Sequence, residues 1–168
     1  YDTLKIRLRE TAFLTKNLKI ILRDDREDKK EKVFHYEGGI KEFVTYLNRS
    51  NVPLYDTVIY CEGKKDNVLV EVAMQHNDSY TENIYSFVNN INTPEGGTHL
   101  SGFKAALTDL FNKYARANKL LKDNEDSLSG EDIREGMTAV ISIKIEDPQF
   151  EGQTKQKLGN NEARGAVS

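Results

Sequence analysis

Three runs rich in β-branched and aromatic residues decide the fold of this chain: "DTVIYCEG" (residues 56–63), "NVLVEVAMQHN" (67–77) and "NIYSFVNNI" (83–91). Such residues favour strands, and the Gly, Asp and Asn residues between the runs favour turns. The spacing predicts three adjacent antiparallel strands. A further run, "MTAVISIKIEDP" (137–148), alternates like a strand and is closed by a proline, so it is predicted to be the final strand.

Helical periodicity surrounds these strands. In residues 3–16 Leu4, Ile6 and Leu8 alternate as in a strand, but Leu4, Leu8 and Ala12 keep helical spacing, and a helix is predicted. "GGIKEFVTYLNRS" (38–50) places apolar residues at helical spacing, and a long helix is predicted from Thr98, which can cap it, to about Lys122. One face of that helix is predicted to lie in the core; it carries Leu100, Phe103, Leu107, Leu110, Tyr114 and Leu121.

Shorter elements complete the pattern. "LKIILRD" (18–24) and "KVFHYE" (32–37) flank a charged tip and predict a hairpin, and "SLSGED" (127–132) resembles a capping box before a short helix. Helices and strands alternate without an internal repeat. The predicted fold class is α+β, with one mixed sheet and helices packed on it.

Length and composition narrow the class of protein. The 168 residues suit one domain, and 30% charged residues with a net charge of -3 exclude any overall attraction to nucleic acid. Cys61 is the only cysteine, and no apolar run approaches the length of about 18 residues typical of a membrane span, so we expect a cytoplasmic protein without membrane contact. Residues 160–168 read as the start of a helix, so residues 1–168 are expected to be a domain cut from a longer chain.

Several kinds of site find no support. His35, His76 and His99 have no metal-ligand spacing among themselves or with Cys61, and no G-x-S-x-G motif is present. "GTHLSGFK" (97–104) has the glycine spacing of a phosphate loop but carries Phe103 where the loop requires lysine. Its two glycines are therefore interpreted as serving a tight turn and close packing.

Two groups of cations remain as candidates. Lys104, Arg116, Lys119 and Lys122 cluster on the long helix opposite its apolar face. Such a stripe is either a solvated face or a surface for phosphate groups of nucleic acid, and the sequence leaves both open.

The second group lies in "FEGQTKQKLGN" (150–160). Gln153 and Lys155 would point the same way on an extended loop, and together they offer an amide donor and a point charge to a terminal phosphate. Lys157 shares that side, and spacing alone does not separate it from Lys155. An ordinary polar surface loop is the alternative.

Long motifs in this chain resemble one family. "FEGQTKQKLGN" resembles the QTK loop of the B subunit of bacterial DNA gyrase, and "HYEGGIKEFVTYLN", "NDSYTENIYSFVNNINTPEGGTH" and "REGMTAVISIKIEDPQFEGQTK" resemble that subunit's transducer domain in the same order. The likeness spans essentially the whole chain. The B-type subunit of topoisomerase IV shares the QTK loop and the "GGTH" turn and is the close alternative.

The resemblance implies a role within a type II topoisomerase. In the family the transducer lies between an ATP-binding domain and the DNA-cleaving core, and the QTK glutamine and lysine, here Gln153 and Lys155, contact the γ-phosphate of ATP. It implies a left-handed βαβ fold, like the second domain of a small-subunit ribosomal protein.

The resemblance also implies the ligands and partners. The full enzyme would use ATP and Mg²⁺, and it would join the ATP-binding domain, a gyrase A subunit, double-stranded DNA and a second B subunit. The isolated domain is expected to bind no cofactor and to be inactive. An RNA-binding or ribosome-associated domain of the same fold and a ligand-free protein-interaction module stay open as other classes.

Overall fold

The computed structural model describes residues 1–168, which form a five-stranded mixed sheet with helices on both faces and a separate two-stranded hairpin. The α+β class is as predicted. In chain order the elements are α1 (Asp2–Leu14), β1 (Lys19–Asp24), β2 (Lys30–His35), α2 (Ile40–Leu47), β3 (Ile59–Lys65), β4 (Val68–His76), β5 (Asn83–Val88), β6 (Ile91–Asn92), α3 (Thr98–Ala117), α4 (Gly130–Arg134), β7 (Met137–Lys144) and α5 (Asn161–Val167).

The order of strands in the large sheet is β3–β4–β7–β5–β6. The prediction that β3, β4 and β5 are adjacent antiparallel strands is therefore wrong for β5, because β7 lies between β4 and β5, antiparallel to one and parallel to the other. Every β7 residue but Lys144 is buried, and a strand covered on both faces belongs in the interior of a sheet. The parallel pair needs a crossover, which α3 and α4 supply. Its left-handed sense stays a prediction.

The predicted hairpin is confirmed, but β1 and β2 pair only with each other and do not join the large sheet. Only one of the six β2 residues, Phe34, is buried, so this strand is too polar for the sheet interior. The expectation of a single sheet is corrected accordingly.

Two cores lie on opposite faces of the sheet. Alternate residues of β7 face each way: Ala139 and Ile141 join the core beneath α3 and α5, whereas Val140 joins the core beneath α1 and α2. In the second core the rings of Phe13 and Phe43 stack with centroids 4.7 Å apart. The predicted amphipathic face of α2 is thereby confirmed.

Helix α3 ends earlier than predicted. Lys119 adopts φ +56°, and the amides of Lys119 and Leu120 donate to Arg116 O and Ala115 O. These bonds form a Schellman motif, which satisfies the last carbonyls and stops the helix at Ala117. The N-cap is Gly97, and Thr98 is the first helical residue, so the expected Thr98 cap is wrong as well.

The apolar face of α3 is only partly in the core. Phe103 and Leu107 are buried, but Leu110 and Tyr114 are each 62% exposed, contrary to prediction. Leu110 lines one side of an open groove of about 340 Å³ whose other side includes Ile59 on the edge strand β3, so the helix stands away from the sheet there. None of the helices combines the length and the apolar character needed to span a bilayer.

Candidate functional site

The QTK loop, residues 150–158, leaves the sheet after β7 as a closed loop with an exposed tip. Phe150 and Leu158 form an antiparallel bridge at its base, and the Glu151 amide donates to Lys157 O over 2.9 Å. At the tip, the Lys155 amide donates to Gly152 O over 3.1 Å, and Lys155 has φ +56°. The expected extended segment is therefore a turn, because this bond folds the chain back on itself.

The two lysines of the loop have different surroundings. Lys157 Nζ lies 2.9 Å from Glu151 Oε2 across the base, and this hydrogen bond together with their attraction raises the pKa of Lys157. Lys155 is exposed and forms no salt bridge; its Nζ lies 6.0 Å from the centre of the Phe150 ring. Gln153 is also exposed and makes no side-chain hydrogen bond within the chain. The structure thus distinguishes the two lysines, which spacing in the sequence does not: Lys157 is paired with an acid and Lys155 is not.

The base of the loop is attached to the turn before α3. Leu158 N donates to Gly96 O (3.0 Å), Thr98 N donates to Leu158 O (3.1 Å), and Glu95 N donates to Gln156 O (3.1 Å). Leu158 itself is buried in the core beneath α3. The loop is therefore held by backbone bonds and one apolar anchor, while the side chains of its tip stay free.

An open, mostly polar cavity of about 370 Å³ adjoins the loop. Thr154 and Gln156 line one part of it, and α1 contributes Arg7, Glu10 and Thr11. Because residues three and four apart share a helix face, Leu4 lies on the face of α1 that bears Arg7 and Thr11. Leu4 is 56% exposed, so the helix that lines this cavity also carries an uncovered apolar side chain.

The four cations predicted to form a stripe on α3 do not lie on one surface of that helix: two bond to other parts of the chain, and two lie beyond the helix end. Lys104 Nζ lies 2.6 Å from Glu82, which also binds Arg134. Burial alone would raise the pKa of Glu82, but the hydrogen bonds from these two cations outweigh burial and lower it. The Arg116 guanidinium donates to Lys122 O, Glu125 O and Ser127 Oγ in the segment after the helix. Lys119 and Lys122 are exposed and lie beyond the end of α3. No continuous helical stripe exists, because α3 stops before it is complete.

We call residues 118–128 the α3 connector. Its far end is fixed by Asn112, whose side chain accepts from Leu128 N over 2.8 Å and donates to Leu128 O over 3.0 Å. Ser129 then caps α4, with its hydroxyl and the Asp132 carboxylate in a reciprocal capping box, as the sequence predicted.

The remaining sequence candidates have structural roles. Gly102 lies against α5, where an added Cβ would approach Arg164 O to 2.5 Å, and Gly97 lies against Leu158; the interpretation of both glycines as packing residues is confirmed. His35 is exposed at the end of β2, and His76 contacts Tyr55 Oη and Ile133 O. His99 is fully buried below the turn that holds the QTK loop. Sequence reasoning missed this placement; the adjacent "GGTH" letters were its only signal.

Comparisons with known proteins agree with the fold and the motifs. A sequence profile described as DNA gyrase B matches residues 39–168. The chain is 61% identical to the DNA gyrase B subunit of Halalkalibacterium halodurans over 98% of its own length, and 61% identical to that of Clostridium acetobutylicum over 99%; it spans 26% of each relative. The 43K ATPase domain of Thermus thermophilus gyrase B, solved with an aminocoumarin, superposes with a TM-score of 0.88 at 38% identity, covering 99% of this chain and 44% of that one. The chain belongs to the DNA gyrase B family.

Proposed function

We propose that this chain is the transducer domain of an ATP-dependent type II DNA topoisomerase, the DNA gyrase B subunit. In this role it couples ATP binding and hydrolysis in a neighbouring domain to DNA strand passage. Lys155 meets the γ-phosphate of the nucleotide, and Gln153 donates to the same group. One observation carries the proposal: Lys155 is an unpaired cation at the tip of a loop whose base is fixed by the backbone.

The surface around the loop supports a neighbouring ATP-binding domain. Leu4 and Ile6 are 56% and 54% exposed on α1, the helix that also contributes Arg7, Glu10 and Thr11 to the cavity beside the loop. The Thermus thermophilus structure is called an ATPase domain, and this chain covers only 44% of it. The remainder of such a protein is where we place the nucleotide, with the exposed side of α1 against it.

Residues of this chain fit the phosphate of the nucleotide but not its metal. Lys155 offers a positive charge, and Gln153 offers amide donors to phosphate oxygens. No group of three or more His, Cys, Asp or Glu side chains converges in the structure. We therefore assign the Mg²⁺ ligands to the nucleotide and the ATP-binding domain. The bound ATP supplies the transferring phosphoryl group, and this chain supplies charge and position.

The role of Lys155 follows from where charge develops. Negative charge on a transferring phosphoryl group is spread over its oxygens, so a positioned cation helps most in the transition state. The contact exists only while a third phosphate is present, so it biases the orientation of two domains until hydrolysis removes it. Further proposed partners are the gyrase A subunit, double-stranded DNA and a second B subunit. DNA as substrate also implies a cytoplasmic location.

Changing Lys155 to Ala in the full-length B subunit, assembled with its A subunit, tests the proposal. Loss of one such donor costs about 3 kcal/mol, so steady-state ATP hydrolysis should fall on the order of a hundredfold. ADP affinity should change much less, because ADP lacks the contacted group.

The matched control is Lys157→Ala in the same loop. Lys157 is held by Glu151, so its loss should leave hydrolysis within about twofold of wild type, as expected for an exposed pair. A Lys155→Ala enzyme as active as this control would show that the QTK loop is an ordinary connector.

A further inference from the structure

Gly97 occupies a position that no side chain can share. Its φ is +133°, and a Cβ added there would lie 2.3 Å from Leu158 O and 2.5 Å from Leu158 N. Both atoms belong to the backbone, so they cannot move aside as a flexible side chain could. Any larger residue would push the base of the QTK loop away from the start of α3.

His99 supports the same turn from below. Thr93 Oγ1 lies 2.8 Å from Ser86 O and 3.1 Å from His99 Nε2. We assign the hydroxyl proton to Ser86 O and the imidazole proton to Nε2, because the other tautomer would bury an unpaired N–H at Nδ1. The Gly96 amide in turn donates to Thr93 O over 2.8 Å. A chain of hydrogen bonds thus runs from Ser86 on β5 through Thr93 to Gly96, which holds Leu158, and His99 is bonded to the same Thr93.

The opposite side of the His99 ring has no partner. His99 Nδ1 is buried without a hydrogen bond, as is Thr98 Oγ1 on the preceding residue. Burial lowers the pKa of His99 from 6.5 to about 4, so the ring is neutral near pH 7 and carries a single N–H, which the assignment above places on Nε2. A buried nitrogen without a partner adds no stability beyond that of an apolar side chain. The hydrogen bond between Nε2 and Thr93 is therefore what distinguishes His99 from an apolar residue at this position.

We infer that Gly97 and His99 are positioning residues for Lys155, and that the Gly96–Gly97 turn is the joint through which the QTK loop and α3 move together. Lys155 lies three residues from Leu158, and α3 begins one residue after Gly97. A pull on the loop tip therefore reaches the first turn of α3 through two backbone hydrogen bonds, Leu158 N to Gly96 O and Thr98 N to Leu158 O. This inference rests on the proposed function, because it needs Lys155 to contact a phosphate.

The first test is Gly97→Ala in the full-length protein assembled with its A subunit. Because misplacing a catalytic group by about 1 Å can cost a hundredfold, kcat for ATP hydrolysis should fall about ten- to a hundredfold, with KM for ATP changed no more than about threefold. Gly165→Ala is the matched control, since a Cβ there meets nothing within 4 Å, and it should hydrolyse ATP like wild type. Equal kcat values for the two variants would overturn the inference.

His99 gives an independent test if Gly97→Ala does not fold. His99→Phe keeps an aromatic ring but loses the bond to Thr93, whereas His99→Gln can place an amide donor near the position of Nε2. We expect the Phe variant to lose kcat at least about fivefold and the Gln variant to recover most of it, since a net hydrogen bond is worth about 1 kcal/mol. Identical kcat values in two folded variants would assign His99 to packing alone.

A double-mutant cycle separates this inference from the proposed function. If Gly97→Ala acts by moving Lys155, it should change kcat less than about twofold in an enzyme that already carries Lys155→Ala. Additive losses would refute the positioning role while leaving the phosphate contact intact. A fully active Lys155→Ala enzyme would instead refute the phosphate contact itself.

Discussion

The QTK loop and the α3 connector are both polar segments that carry cations, yet the fold holds them in opposite ways. The QTK loop is fixed by backbone bonds to residues 95–98, and the Lys155 side chain at its tip contacts no acid. The α3 connector is fixed by side chains, with Arg116 and Asn112 bound to its carbonyls. Because the Arg116 guanidinium is already hydrogen-bonded within the chain, it is a poor candidate for binding a phosphate. The comparison ranks Lys155 above Arg116 as a phosphate contact, although the sequence offers both.

Lowering the pH should produce the largest difference between the two regions, because it should destabilise the base of the QTK loop before the α3 connector. Burial holds the pKa of His99 at about 4 against 6.5 for a free histidine, so its contribution to stability is complete above pH 6.5 and lost as the pH falls towards 4. That difference corresponds to about 3 kcal/mol of unfolding free energy. Urea unfolding of wild type and His99→Gln across this window should show a shallower loss in the variant. In wild type, hydrogen exchange should expose the amides of Leu158 and Thr98 before that of Leu128.

If the unfolding free energies of wild type and His99→Gln change equally with pH, His99 does not contribute to the pH dependence of stability. The carboxylates that lose stabilising bonds at low pH, such as Glu82 and Asp132, are common to both proteins and cancel in the comparison.

ATP hydrolysis by the full-length enzyme should depend less on Gln153 than on Lys155. A neutral amide donor contributes about 1 kcal/mol, so Gln153→Ala in the full-length enzyme should lower ATP hydrolysis about five- to tenfold. Steady-state ATPase measurements beside the Lys157→Ala control check this order. A Gln153→Ala enzyme more impaired than Lys155→Ala would reverse the roles assigned to the two side chains.

The α3 connector should loosen when its own cation is removed. Arg116→Ala deletes hydrogen bonds to Lys122 O, Glu125 O and Ser127 Oγ, all at the surface, so the unfolding free energy should fall by about 1 kcal/mol. Faster hydrogen exchange should be confined to the connector and the end of α3. Wild-type exchange rates in that segment would mean that Asn112 holds it alone.

Lys119 and Lys122 are the exposed members of the group of cations that the sequence proposed as a DNA-contacting surface. Reversing both charges to Glu in the full-length enzyme should reduce the ratio of DNA-stimulated to basal ATP hydrolysis about two- to threefold, because phosphate contacts add modest, salt-dependent free energy. The effect should shrink as salt is raised. An unchanged ratio at low salt would make both lysines part of a solvated surface.

Local features of the sequence predicted most of the elements, because helical periodicity, capping residues and β-branched runs act over a few residues. The extent of α2, the start of α5 after Asn160 and the Ser129 capping box agree with those signals, and α1 ends two residues before its predicted end. The position of β7 between β4 and β5 could not be predicted in this way, since it depends on which strand is covered on both faces. The exposure of Leu110 similarly depends on where the sheet ends beneath α3.

The site shows the same division. The sequence motif made Gln153 and Lys155 candidates, and the salt bridge of Lys157 with Glu151 distinguishes the two lysines. Such pairing follows no periodic pattern in the sequence. Glu151 meets Lys157 across a closed base, and Glu82 meets Lys104 from another part of the chain. The helix stop at Lys119 also lacks a glycine, the usual signal of a Schellman motif, so the predicted stripe ran past the true end of α3.

The central place of β7 has a consequence for how the protein is made. Strands β3 to β5 leave the ribosome well before β7, so the facing edges of β4 and β5 stay open during synthesis of α3 and α4. Such late, long-range pairing slows folding, and the open edges are vulnerable to association with other chains. The QTK loop follows β7 directly, so Leu158 reaches its anchor only after the sheet has closed. A nascent chain therefore acquires its proposed nucleotide contact as one of the last events in the folding of this domain.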